Sequence, residues 1–198
     1  MQNTLVIMAK APALGRVKTR LARDVGSVEA TRFYRVALSR LIRRLAADPR
    51  WVTAVAASPD GEAVVPAPWH ADADAVVPQG NGDLGTRMQH MFDIAPPGPV
   101  VIIGSDIPDI TPAHIASALG ALGNADAVIG PSVDGGYWLI GQKRVPKVLR
   151  PFASVEWSSG RERDQTLANF GGARVAMLDE LSDVDSGADH ALWRRRCG

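Results

Sequence analysis

The chain has 198 residues, 46% of them hydrophobic, with 22 Lys plus Arg against 21 Asp plus Glu and a formal net charge of +1. That size suits one α/β domain with a sizeable core, and the near-balanced charge gives no overall field to attract nucleic acid. The one cysteine, Cys197, excludes an internal disulfide framework and a thiolate metal cage. No run is long enough to span a bilayer. The first apolar stretch is too short, and wrongly flanked by Lys10, to be a signal peptide. A cytoplasmic protein is the expectation.

Thr4 to Ala9 reads as the first strand. The loop that follows, Lys10 to Leu21, has Pro12 and Gly15 as punctuation and then three alternating cations, Arg16, Lys18 and Arg20. The loop after the first strand of an α/β sheet is where phosphates are usually held. It lacks the glycine spacing of a Walker loop, so its cations must do more of the binding. Arginine forks and a mobile lysine suit a diphosphate or triphosphate; the alternative is a solvated basic loop. Ser27 is placed to cap a helix running to about Ala47. Its apolar stripe is Ala30, Phe33, Tyr34, Ala37, Leu38, Leu41 and Leu45. Arg32, Arg35, Arg40, Arg43 and Arg44 fall mostly off that stripe and read as solvated surface. Val52 to Ala57 is the second strand, and Trp51 and Trp69 read as packing residues.

Ala75 to Pro78 is a short strand that delivers Gln79-Gly80-Asn81-Gly82-Asp83-Leu84-Gly85-Thr86-Arg87. Gly80 and Gly82 let backbone approach a ligand closely. Gln79 and Asn81 are candidates for reading a base or ribose, and Arg87 for meeting an anion. Asp83 is equally placed to cap a helix over 84–95.

The segment Val100 to Pro108, VVIIGSDIP, opens with four apolar residues that do not alternate. Such a strand is covered on both faces, in the middle of a parallel sheet. It delivers Asp106 at its carboxyl end, where ligands of open α/β sheets sit. Thr111 and Pro112 then open a helix over 112–122, with His114 exposed near its start. Ala125 to Gly130 is another strand. The turn Asp134-Gly135-Gly136 either sets amides and a carboxylate against a small polar acceptor or simply closes a hairpin. Tyr137 and Trp138 must face opposite ways on the strand after it. A helix over 161–170, capped by Ser158 or Ser159, and a strand from Arg174 to Leu178 follow. Asp183, Asp185 and Asp189 then lie in or near one loop, and their oxygens suit Mg²⁺. Asp189 reads as a helix-terminal residue. There is no HExxH, no His/Cys cluster and no GxSxG, and no repeat or linker divides the chain, so 1–198 is read as one domain.

Five segments together resemble the nucleotide-diphospho-sugar transferase superfamily: MAKAPALGRVKTRLA from Met8, QGNGDLGTRM from Gln79, GSDIPDIT from Gly104, GPSVDGGYWLIG from Gly130 and VDSGAD from Val184. The nearest resemblance is to its small bacterial glycosyltransferase-like family, related to 2-phospho-lactate guanylyltransferase and the molybdenum-cofactor guanylyltransferases. The resemblance implies a GT-A-like (Rossmann-like) three-layer α/β sandwich with a mostly parallel, mixed central sheet. By matching position it implies that Lys18 and Arg20 hold phosphates. It also implies that Asp106 and Asp185 ligate a metal and that Gly135 and Gly136 face the acceptor or sugar; Asp183 is the alternative second ligand should Asp185 not converge with Asp106. The chain departs from its relatives in two places. MAKAP replaces a glycine-rich first loop. Asp106-Ile107-Pro108-Asp109 replaces an Asp-x-Asp metal motif, which disfavours sugar transfer.

The resulting expectation is a Mg²⁺- or Mn²⁺-dependent nucleotidyltransferase. It moves a nucleoside monophosphate from a nucleoside triphosphate to a small phosphorylated or carboxylated acceptor. Lys18, Asp106 and Asp134 are the catalytic candidates. Arg16, Lys18, Arg20, Gln79, Gly80, Asn81, Gly82, Arg87, Gly135 and Gly136 are the binding candidates. The alternatives are a glycosyltransferase using a nucleotide sugar and a non-catalytic nucleotide-binding protein. No nucleic-acid or membrane partner is expected, and a homodimer is left open. The sequence names neither the base nor the acceptor.

Overall fold

Residues 1–197 are described by a computed structural model. Seven strands form one sheet: β1 (Thr4–Lys10), β2 (Val52–Ser58), β3 (Ala75–Pro78), β4 (Val100–Gly104), β5 (Ala127–Pro131), β6 (Tyr137–Gln142) and β7 (Val175–Met177). Their spatial order is β3-β2-β1-β4-β6-β5-β7. Every pairing is parallel except those of β6, which runs against both β4 and β5. The expected all-parallel surroundings of the central strand are therefore corrected. β4 is parallel to β1 on one side, but the returning arm of the β5–β6 hairpin inserts on the other. Six strands still point their carboxyl ends to one edge, and the loops after β1, β4, β5 and β7 gather there.

The helices are α1 (Leu21–Val25), α2 (Ser27–Ala46), α3 (Leu84–Ile94), α4 (Pro112–Ala121), α5 (Glu162–Asn169) and α6 (Gly187–Cys197). The α2 stripe is buried as its spacing predicts, with Ile42 added to it. Its cap position is Gly26, not Ser27, which is already helical and accepts through its carbonyl from Thr31 Oγ1 at 2.7 Å. At α5 the cap position falls to Arg161, whose N–H donates to Ser159 Oγ at 3.2 Å.

Alternation along the strands separates two cores. Leu5, Ile7, Val55, Val101 and Ile103 face α2 and α4, while Val6, Met8, Val100 and Ile102 face α3 and the end of α5. A third group, Leu21, Ala30, Phe33, Val184 and Trp193, packs α1, α2 and α6 together. Among the described residues, no helix is long and apolar enough to cross a membrane.

One irregularity shapes the functional edge. Gly130 pairs with Leu139, yet Pro131 pairs with Tyr137, so β6 carries one extra residue, Trp138, at this step. A bulge of this kind shifts the phase of side-chain alternation. Trp138 therefore joins Leu139 on the α2/α4 face, while Tyr137 packs with Ile140 on the other. The indole lies over Gly130, where a Cβ would come within 2.4 Å of Trp138 Cε2. Gly130→Ala is expected to lower stability by about 1–3 kcal/mol through overpacking, read as a drop in melting temperature with helix and strand content unchanged.

Candidate functional site

Lys18 is the centre of the arrangement. Val17 is buried in the α2/α4 core and draws the loop after β1 inward. Lys18 follows it with φ of 47°, in the left-handed region that side chains seldom adopt. Its side chain is 3% exposed, and Nζ lies 2.9 Å from Asp106 Oδ1 and 3.0 Å from Asp185 Oδ1. Burial alone would lower the lysine pKa, but the two carboxylates outweigh it and hold the group above its ordinary value. Arg20 donates to the other oxygen of Asp185 at 3.1 Å and remains largely exposed. Arg16 is exposed, with no side-chain partner among the described residues.

Asp106 is held from behind by groups that the α2 pattern conceals. The Tyr34 hydroxyl interrupts an apolar stripe. It donates to the Lys10 carbonyl at 3.1 Å, accepts from the Lys10 N–H at 3.1 Å and lies 3.0 Å from Ser105 Oγ. One phenol thus ties α2 to the ends of β1 and β4. Burial pushes it up to about 12, so it stays a donor. Arg44, expected on the solvated surface, is half-buried and donates to the Pro108 carbonyl. It anchors the loop that carries Asp106. His114 also departs from expectation. It is half-buried, its Nδ1 accepts from the Thr111 N–H at 3.2 Å, and its ring lies 5.8 Å from Trp138.

Asp185 is placed by the chain that follows it. Asp189 Oδ2 accepts from the Ser186 N–H at 2.9 Å, and Ser186 Oγ accepts from the Asp189 N–H at 3.2 Å, a reciprocal capping box at the start of α6. Asp24 of α1 accepts from the Gly187 N–H at 2.7 Å, which ties the helix after the basic loop to the same turn. The backbone N–H of Val184 reaches the Asp106 carbonyl at 3.4 Å. Burial pushes the neighbouring Asp183 carboxyl up to about 6, with the charge of Asp185 adding to the effect. Asp185 itself is held below the usual carboxylate range. Burial opposes this, but the Lys18 charge and hydrogen bond prevail.

A cavity of about 140 Å³ opens beside this cluster, lined by Gly104, Asp106, Ile107, Ile110, Ser132, Asp134, Tyr137, Trp138 and Asp183. Asp134 reaches it while bracing its own turn. Its Oδ1 accepts from Ser132 Oγ at 2.6 Å and from the Gly136 N–H at 3.1 Å. The turn is thus a hairpin turn and part of the cavity wall at once. Gly135 serves packing. A Cβ there would lie 2.1 Å from the Gly160 carbonyl oxygen, so backbone occupies that side of the residue. Gly136 does adjoin Asp134 and Ser132. A larger groove of about 480 Å³ runs along α3 against residues 150–153 and contains none of the clustered carboxylates.

In the glycine-rich segment after β3, Gln79 is engaged by the protein itself. Gln79 is buried, and its amide donates to the carbonyls of Ala9 and Ala56 at 3.1 and 2.8 Å, while its oxygen accepts from Arg87 at 2.9 Å. With these groups engaged, Gln79 fixes the edge of the sheet and is not free to read a base. Arg87 is half-committed to the same contact. Asn81 remains exposed, between Gly80 and Gly82 at positive φ. Asp83 caps α3, accepting from the Thr86 N–H at 2.7 Å.

Could the cluster hold a divalent ion? Among the described residues, no group of three or more His, Cys, Asp or Glu side chains could enclose one. Asp106 and Asp185 nevertheless present oxygens within 3.0 Å of one atom, from two different loops. Two carboxylates completed by water and substrate phosphate form the usual Mg²⁺ arrangement. The donor chemistry fits.

A bacterial family described as "uncharacterized protein conserved in bacteria (DUF2064)" matches residues 41–159. The chain belongs to that DUF2064 family. A provisionally assigned nucleotide-diphospho-sugar transferase of Desulfovibrio desulfuricans G20 is 30% identical over 99% of this chain and 88% of that one, with a TM-score of 0.87. The 4-diphosphocytidyl-2C-methyl-D-erythritol synthase of Anaerococcus prevotii DSM 20548 shares the fold at 11% identity and a TM-score of 0.66, over 99% of this chain and 98% of that one. Rv0371c of Mycobacterium tuberculosis H37Rv, in complex with manganese, does so at 17% identity and a TM-score of 0.54, over 97% of each chain. No curated protein matches the chain. The GT-A-like α/β fold expected from the motifs is therefore the fold of this DUF2064 protein. The narrower kinship with guanylyltransferases rests on the motifs alone.

Proposed function

We propose that this DUF2064 protein is a nucleotidyltransferase that moves a nucleoside monophosphate from a nucleoside triphosphate to a small acceptor. The observation that carries this is the convergence of Lys18 and Arg20 with Asp106 and Asp185 at one sheet edge. Such a transfer needs charge neutralised along the phosphates and an acceptor oxygen aligned with the α-phosphorus. An acceptor oxygen attacks that phosphorus, the bond to the bridging oxygen breaks, and pyrophosphate leaves toward Arg16, Lys18 and Arg20. No protein nucleophile is required. Asp106 and Asp185 are the residues that would hold Mg²⁺ or Mn²⁺. Such an ion, when bound, supplies charge stabilisation at the phosphates. The manganese-bound relative and the named synthase support this reading by their fold.

The cavity walls narrow the acceptor. Asp106, Asp134 and Asp183 line it, and no Lys, Arg or His does. That lining disfavours an anionic group on the part of the acceptor that enters the cavity, so an acceptor phosphate or carboxylate would be the attacking group at the α-phosphorus, outside it. The remainder of the acceptor is uncharged or cationic. Asp134 is the candidate to orient it.

A second reading, glycosyl transfer from a nucleotide sugar, is favoured by the relative at 30% identity. The two readings release different products. Incubation with each nucleoside triphosphate, each common nucleotide sugar and an acceptor panel under Mg²⁺, with mass detection, separates them. Release of pyrophosphate is expected. Release of a nucleoside diphosphate from a sugar donor instead would replace nucleotidyl with glycosyl transfer.

A further inference from the structure

We propose that Lys18 is the resident counter-cation of the Asp106–Asp185 pair, so that a divalent ion gains these oxygens only as phosphate draws the lysine away. The inference rests on the metal-binding reading above. One ammonium, with its side chain 3% exposed, contacts one oxygen of each carboxylate at 2.9 and 3.0 Å. An ion shared by the two residues would have to compete for carboxylates that this ammonium already neutralises. A lysine ammonium and a divalent ion repel each other, and each loses when the other takes its ligands. The metal alone must therefore displace a buried, doubly paired cation.

The surroundings show how the exchange can occur. Asp106 is 58% exposed, so the pair is open to solvent on that side. The neighbours Arg16, Thr19 and Arg20 are exposed, so the Lys18 ammonium can swing outward about its own side-chain torsions while Val17 stays in the core. Lys18 sits at φ of 47°, and a non-glycine residue in that region is held there by its surroundings: here the buried Val17 before it, the Ala22 N–H that donates to its carbonyl at 2.9 Å and the two carboxylates at its ammonium. The triphosphate offers the ammonium replacement oxygens. Nucleotide thus removes the competitor of the metal, and metal removes the competitor of the phosphates. Their binding is coupled with positive sign, and the coupling is reciprocal.

Direct contact between metal and phosphate would also couple the two ligands, so the diagnostic measurement is metal without nucleotide. Mn²⁺ is titrated into wild type, Lys18→Met and Lys18→Met/Asp185→Asn, with free ion followed by electron paramagnetic resonance and stability by thermal melting. Lys18→Met is expected to bind Mn²⁺ about tenfold more tightly than wild type, within the usual range for coupled sites. Its melting temperature should rise with Mn²⁺ while that of wild type scarcely moves, and the double variant should lose both effects. Lys18→Gln, which is uncharged but still polar, provides the same comparison should the methionine variant fold poorly. Mn²⁺ bound equally by wild type and the Lys18 variants, and lost on Asp185→Asn, overturns the counter-cation role and leaves the metal pair standing. Mn²⁺ bound by none of them, even with nucleoside triphosphates present, overturns both.

Discussion

Asp185→Ala is expected to lower turnover about a thousandfold, because charge stabilisation at the phosphates is worth several kcal/mol and each ~1.4 kcal/mol is a factor of ten. Two effects act together. The variant removes one of the two oxygens aimed at the Lys18 position and removes the partner of Arg20. Lys18 then keeps Asp106 alone, so a buried ammonium is only half paired. Loss of a partner from such a pair destabilises. A measurable fall in melting temperature should therefore accompany the loss of turnover. Asp183→Asn is the control. Asp183 makes no contact with Lys18 of the kind Asp106 and Asp185 make, and burial already pushes its carboxyl up to about 6. Its variant should keep the Lys18 contacts and retain most of the turnover. Steady-state kinetics and thermal melts on the two variants decide the matter. A larger effect from Asp183→Asn than from Asp185→Ala would transfer the metal role to Asp183.

Trp138→Ala is expected to cost about 3–5 kcal/mol of stability, the usual range for removing a large buried aromatic side chain. Trp138 is 4% exposed, lies over Gly130 and forms one wall of the cavity. Its Nε1 donates to the Asp179 carbonyl at 3.1 Å, which ties the hairpin to the segment leading into Asp183 and Asp185. Truncation should therefore do two separable things. It leaves a void beside Gly130, and it frees the segment that positions the carboxylates. Trp138→Phe keeps most of the packing but removes the hydrogen bond, for a loss of about 1 kcal/mol. If the tie to Asp179 matters to the site, the phenylalanine variant should show weaker acceptor binding than its small stability change explains. Denaturant melts and acceptor saturation kinetics on both variants test this. A phenylalanine variant with unchanged saturation would confine Trp138 to packing.

The extent to which the site was legible differs residue by residue. Asp106 was readable because a short apolar run without alternation, closed by Gly-Ser-Asp, fits a buried strand that delivers a carboxylate just past its end. Asp83 was readable as a cap because helix capping is decided within four residues. Gln79 was not. Beside three glycines it resembles a ligand-reading side chain, yet it is bonded to Ala9 and Ala56. Arg44 and Tyr34 escaped for the same reason. One lay among five arginines that read as surface, the other inside an apolar stripe, and each has partners on the loop after β4.

The sequence by itself determined the strands, the helices other than the short α1 and most of the buried faces, because periodicity records how a segment presents its own side chains to a core. It determined as well which loops carry charge, since the basic loop after β1 and the carboxylates near positions 106 and 185 are local features. Tertiary structure alone decided that β6 inserts antiparallel between β4 and β5, because pairing order depends on distant strands competing for the same edges. It alone decided that the bulge at Trp138 turns the indole toward the α2/α4 core. And it alone joined Lys18 to Asp106 and Asp185. Each of these charges is legible in its own loop, but a buried ion pair has no sequence period, and its partners are chosen only when the sheet brings the loops to one edge.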